Sequence, residues 1–147
     1  MRMRLFVLAG LASSTLALGV ASGFCAGSAP ATVTVRSSSY GRILFDGRGF
    51  ALYAFTRDPR GKSACSGACA KAWPPYLVDM HPRAAVGVRS GLIGTTKRPD
   101  GKLQVTYAGR PLYYYVHDRR PGQVLCQNVE EFGGLWLVVR ANGRVVR

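Results

Sequence analysis

The sequence predicts a small all-β domain, a single unit built of two pseudo-symmetric β-rich halves and preceded by a cleaved export signal. Three observations carry this. Short runs rich in Val, Leu, Ile, Tyr and Phe recur along the chain, broken by many of its 18 Gly and 8 Pro. Beyond Tyr40 no helical period is sustained over eleven or more residues. A ten-residue motif also returns after a constant offset of sixty residues, which is how a chain folded from two copies of one unit reads.

Met1-Arg2-Met3-Arg4 is a short positive region, and Leu5 to Val20 is apolar apart from Ser and Thr. Gly19 and Ala21 are small enough for the minus-three and minus-one places of a cleavage site, so residues 1–21 read as a signal peptide. The apolar stretch is short for a membrane span, and none of spanning length follows. Residues 22–39 are small and polar and are expected to be flexible, although Thr32-Val33-Thr34-Val35 alternates like an opening strand. The globular domain is expected over 40–147. Its strand candidates are Arg42–Phe45, Phe50–Thr56, Gln104–Tyr107, Leu112–His117, Leu135–Arg140 and Arg144–Arg147. Asp46-Gly47, Asp100-Gly101 and Asn142-Gly143 are tight-turn signals between them.

The repeat aligns Gly49 to Asp58 with Gly109 to Asp118, and the halves run over about 43–76 and 103–139. Leu52, Tyr53, Phe55 and Asp58 correspond to Leu112, Tyr113, Tyr115 and Asp118. Each copy is followed by a Pro-containing turn, a Cys (Cys65, Cys126) and a Trp (Trp73, Trp136). On a strand, Tyr53 and Phe55 share one face, as do Tyr113 and Tyr115, while Leu52 and Leu112 point to the other. Core packing is the expected use of these aromatics, ahead of a ligand-stacking platform. Each Asp falls where its strand ends, placed to accept backbone N–H groups of the following turn.

Charge is lopsided: 20 Lys and Arg against 7 Asp and Glu give +13, and loss of Arg2 and Arg4 with the signal leaves +11. The bases come singly or in pairs, such as Lys97-Arg98 and Arg119-Arg120, and no nucleic-acid-binding module accompanies them. The expectation is a solvated basic surface that adheres to anionic envelope polymers or a membrane surface, with no nucleic acid as partner.

Cys65 and Cys69 stand four residues apart in a Ser-Gly-Ala loop. Export exposes them to an oxidising compartment, so the expected state is a disulfide closing a five-residue loop, worth about 2 kcal/mol by chain entropy. The alternative is copper or redox handling in the periplasm, with both thiolates, His81 or His117 and Met80 as ligands. His117 adjoins Asp118, but no motif marks a nucleophile and the first copy has Arg57 in its place, so no catalytic residue is assigned. Glu130-Glu131 is the one acidic pair, and neighbours on a strand face opposite ways, which disfavours a glycosidase. No cofactor or metal is assigned.

The motifs resemble those of the bacterial secreted-repeat lipoproteins of unknown function. Leu52-Tyr53-x-Phe55-x-x-Asp58 carries the likeness, with Cys65 to Pro75 after it. Leu92 to Thr95, Arg98 to Gly101 and Gln104 to Tyr107 continue it, followed by Gly109 to Tyr115, Asp118 and Phe132 to Trp136. The resemblance spans about Ile43 to Val139 and implies an exported envelope protein without an established activity. Two departures stand out. The family commonly bears a lipid-anchored Cys near its start, but here Phe24 precedes Cys25 and fits lipid processing poorly. Its second half usually has Gly where this chain has Cys126, which leaves Cys126 a local feature with Cys25 as its candidate partner. The expectation is therefore an exported, non-catalytic binding or structural module of the periplasm or cell envelope.

Overall fold

A computed structural model describes residues 31–147; the segment expected to be a signal peptide, its expected cleavage site and Cys25 lie outside the described residues. In chain order the strands are β1 Thr32–Ser38, β2 Gly41–Asp46, β3 Tyr53–Phe55, β4 Leu77–Val78, β5 Arg83–Ala84, β6 Ile93–Lys97, β7 Leu103–Tyr107, β8 Arg110–Pro111, β9 Val129–Glu131 and β10 Gly134–Val138. A five-residue helix, α1 Ala68–Ala72, and a 3-10 turn at Ser90–Leu92 are the helical elements described. The fold is all-β, as the recurrent short apolar runs predict.

Three small sheets form. In the first, β1 pairs antiparallel with β2 and parallel with β5. In the second, β10 lies between β3 and β9, antiparallel to both. In the third, β7 lies between β4 and β6 and also carries β8. Asp100-Gly101 turns β6 into β7, and Asn142-Gly143 folds the chain back so that Val145 bridges Val139. Asp46 Oδ1 accepts the N–H groups of Arg48 and Phe50, which fixes the turn at Asp46-Gly47.

Side-chain alternation sorts the interior into two apolar clusters, one on each side of the motif strands. Tyr53, Phe55, Tyr113, Trp73 and Trp136 fall in one cluster with Tyr115 packed against it. Leu52, Ala54 and Leu112 fall in the other, joined by Val33, Val35, Leu44, Val105 and Tyr107. A period of two thus loads both faces, because these strands are covered on both sides.

The halves are interlocked. The segment after each Trp pairs with the second strand of the other half: Leu44 N–H donates to Val139 O at 2.8 Å, and Val105 N–H donates to Tyr76 O at 2.9 Å. At the centre Tyr53 and Tyr113 exchange both backbone hydrogen bonds at 2.9 Å, so the pseudo-twofold axis passes between them.

Several expectations need correction. Residues 32–38 are not a flexible leader to a domain starting at Tyr40. They form β1, paired along the whole of β2, with Val33 fully buried. Apolar side chains on alternate positions outweigh the polar composition around them. Phe50–Thr56 contracts to β3, and Leu112–His117 is no continuous strand. The N–H groups of Tyr113, Tyr114 and Val116 go to Tyr53, Pro74 and Ala72 respectively. Tyr113 also bridges Pro75, and a proline offers no N–H to extend a ladder. Of Arg144–Arg147 only Val145 makes a β-bridge. Strands β4, β5, β6, β8 and β9 and helix α1 were not expected. Five of these six elements are too short to show a period, and β6 carries two Thr and a Gly.

Candidate functional site

The repeat motif builds the centre of the molecule. Tyr53 donates its hydroxyl to Asp118 Oδ2 at 2.6 Å, and Tyr113 donates to Asp58 Oδ2 at 2.7 Å. Each half thus supplies a phenol to the other half's carboxylate. The second oxygens hold the loops that follow: Asp58 Oδ1 accepts Ala64 N–H and Asp118 Oδ1 accepts Leu125 N–H, just ahead of Cys65 and Cys126. The motif aspartates are therefore loop caps and cross-repeat acceptors at once.

The two tryptophans stack face to face with centroids 4.0 Å apart. Phe55 extends the stack beyond Trp136 at 4.2 Å, and Tyr115 extends it beyond Trp73 at 4.7 Å, each ring resting on the other half's indole. Tyr53 and Tyr113 approach the tryptophan of their own half edge-on, at 5.3 and 5.1 Å. Glu131 takes both indole N–H groups, Trp73 on its carboxylate at 2.7 Å and Trp136 on its backbone oxygen at 3.2 Å. Gly134 is required here, since a Cβ would stand 2.8 Å from the Phe55 ring. Glu130 points away and is exposed.

Removing an acceptor from such a pair costs more than removing its donor, because a buried hydroxyl is then left unbonded. Asp118→Ala strips the acceptor from Tyr53 O–H and Leu125 N–H together and is expected to destabilise by about 3 kcal/mol, against about 1 kcal/mol for Tyr53→Phe. Urea unfolding of both single variants and the double variant checks this. Equal costs for the singles, or strict additivity, would contradict it.

Burial raises the pKa of Asp58 and Asp118 above the ordinary carboxylate value, opposed by the tyrosine and backbone donors. The folded state therefore binds these protons more tightly than the unfolded chain does. Their stabilising contribution is complete below the unfolded pKa of about 4 and is lost as pH rises through the folded values. The urea midpoint is expected to rise as pH falls from 7 toward 4, and to rise less in Asp58→Asn/Asp118→Asn. Identical profiles for the two proteins would exclude the linkage.

Cys65 and Cys69 are joined by a disulfide that spans the entry to α1, and both are buried. With these sulfurs bonded to each other, neither is a thiolate ligand. His81 and Met80 lie exposed in the loop after β4, and His117 rests edge-on against Tyr115 at 5.3 Å. Among the described residues no three His, Cys, Asp or Glu side chains converge to hold a metal ion. His117 and Asp118 are not a dyad: the imidazole faces solvent, while both oxygens of Asp118 are engaged elsewhere. Cys126 is a buried free thiol among the described residues, its pKa raised by burial, and Tyr115 beside it is pushed up to about 12 chiefly by its hydrogen bond to that thiol.

No local pattern marks a buried cation. Arg98 is 7% exposed and donates to Ser63 Oγ, Gln104 Oε1 and Cys65 O at 2.7 to 2.8 Å. It ties the disulfide loop to β7 instead of joining Lys97 at the surface. Asp46 accepts Arg48 Nε at 2.9 Å and the Tyr114 hydroxyl at 3.0 Å. Asp46, Asp58, Asp118 and Glu131 thus all have internal work, and only Asp79, Asp100 and Glu130 are exposed acids. Every described Lys and Arg other than Arg98 is exposed.

A family model described as a secreted repeat of unknown function matches the chain twice, over residues 34–76 and 94–140. Its first match opens within β1 and its second within β6, so each repeat takes in a strand ahead of the halves read from the motif alone. No curated protein and no solved structure matches the chain.

Proposed function

Since the chain belongs to a family of secreted repeats whose function is unknown, we propose that it is an exported, non-catalytic binding module of the cell envelope, held by its basic surface to anionic polymers. One observation supports this above the rest. Among the described residues the fold draws most carboxylates inward as hydrogen-bond acceptors and leaves nearly all the bases in solvent, so the excess of bases over acids is concentrated on the outside. Among the described residues the one ion pair is Arg48 with Asp46, which leaves the other exposed bases free of carboxylate partners. Such a surface attracts polyanions over a Debye length of about 8 Å at physiological ionic strength.

A non-catalytic role fits the fate of the motif residues. The motif's phenols and carboxylates bond to each other across the repeat, inside the protein, instead of facing a substrate. The test is retention of the purified protein on isolated envelope material across a salt series. Release is expected to steepen between about 50 and 200 mM salt, as for other multivalent cation–polyanion contacts. Retention that ignores salt would overturn the proposal and point to a lipid anchor.

A further inference from the structure

The exposed bases are not spread evenly. Arg110, Arg140, Arg144 and Arg147 line one open cleft of about 530 Å³, with Asn142 and Val145 completing its wall and no acidic side chain among the lining residues. We propose that this cleft is the specific binding site for a phosphate-bearing chain, the phosphates of a linear envelope polymer being its ligand. The inference rests on the reading above and assigns it a place.

The cleft is built by packing. Arg140 and Arg144 flank the Asn142-Gly143 turn, where Arg140 N–H donates to Arg144 O at 2.8 Å and Asn142 Oδ1 accepts Arg144 N–H at 3.0 Å. That turn is pinned against the β7–β8 turn. Tyr107 donates its hydroxyl to Ala141 O at 2.7 Å, and Gly143, at φ +82°, leaves its Cα hydrogen where a Cβ would strike the Ala108 side chain. Arg110, next to that turn on β8, thereby lines the same cleft as the other three arginines. No described carboxylate pairs with any of the four. If Arg147 bears a free α-carboxylate, three net positive charges remain.

Chemistry favours phosphate. Arg110 on β8 and three arginines of the C-terminal segment bring guanidinium groups from two parts of the chain, and a tetrahedral phosphate offers acceptors on more than one side. A planar carboxylate is met well only in its own plane. Arg110 also lines a neighbouring cavity with Arg60, where the one carboxylate, Asp58, is already engaged by the Tyr113 hydroxyl and Ala64 N–H.

The probe is inorganic polyphosphate, with a polyuronate and anionic phospholipid vesicles as comparators, titrated against the whole exported chain at several salt concentrations. Arg110→Gln/Arg140→Gln/Arg144→Gln is expected to weaken polyphosphate binding more than tenfold and to flatten the log K against log salt slope by about 2 to 3. Lys71→Gln/Lys97→Gln/Arg119→Gln removes equal charge away from the cleft and is expected to change binding less than about threefold. All six residues are exposed, and unchanged urea midpoints will show that both variants fold. Equal losses in the two triple variants would overturn the cleft while leaving the basic-surface proposal standing. Polyuronate or vesicles bound as tightly as polyphosphate would overturn the phosphate assignment. No binding of any polyanion by the unaltered protein would overturn both readings.

Discussion

Neither half of the molecule is expected to fold alone. Fragments covering residues 31–90 and 91–147 should each lack near-ultraviolet dichroism and a cooperative unfolding transition, and should regain both when refolded together. The reason lies in the exchange of segments. In the separate first fragment, Leu44 N–H loses Val139 O and Tyr53 loses both its backbone partner on Tyr113 and its side-chain acceptor on Asp118. The second fragment loses the matching bonds, Val105 N–H to Tyr76 O and the Tyr113 hydroxyl to Asp58. Each fragment would also keep one indole of the stacked pair and lose the ring that covers it. A chain of about 60 residues buries only about 60% of its unfolded surface even when intact. Removing half of each core from that margin leaves nothing to oppose chain entropy. A cooperative transition in either fragment by itself would show that the interlock is not essential.

Trp136→Ala is expected to cost about 3 to 5 kcal/mol, the range for deleting a buried large aromatic. Trp136 is fully buried and touches both halves: it stacks on Trp73 and Phe55 and receives the edge of Tyr113. The void would lie at the pseudo-twofold centre, where both sides are held by reciprocal hydrogen bonds and collapse is hindered. Trp73→Ala should cost a comparable amount. The double variant should cost clearly less than the sum, because the second deletion removes a ring whose partner is already gone. Chemical denaturation of the three variants measures this. A loss below about 1 kcal/mol for Trp136→Ala would mean that the stack is not the keystone of the fold.

The motif's two-residue alternation told which side chains share a face, and the structure keeps that sorting even where the backbone is not a strand. Tyr113 and Tyr115 still face one cluster and Leu112 the other, although their N–H groups are shared among separate segments. The places of the turns were equally legible, because Asp-Gly and Asn-Gly act through their own backbone preferences. Arg98 was not. Its three acceptors come from the loop before α1 and from β7, and nothing next to it in sequence distinguishes it from Lys97. The same holds for Glu131, whose partner Trp73 is 58 residues away.

The sequence by itself determined the β class, the duplication, the faces of the motif strands and the sign of the charge, since each of these follows from local pattern or from composition. Only the tertiary structure decided that β1 belongs to the domain, that the halves interlock, that four carboxylates turn inward and that four arginines meet at one cleft. These depend on groups brought together from distant parts of the chain, and a periodicity read along the chain carries no record of what it will meet across it.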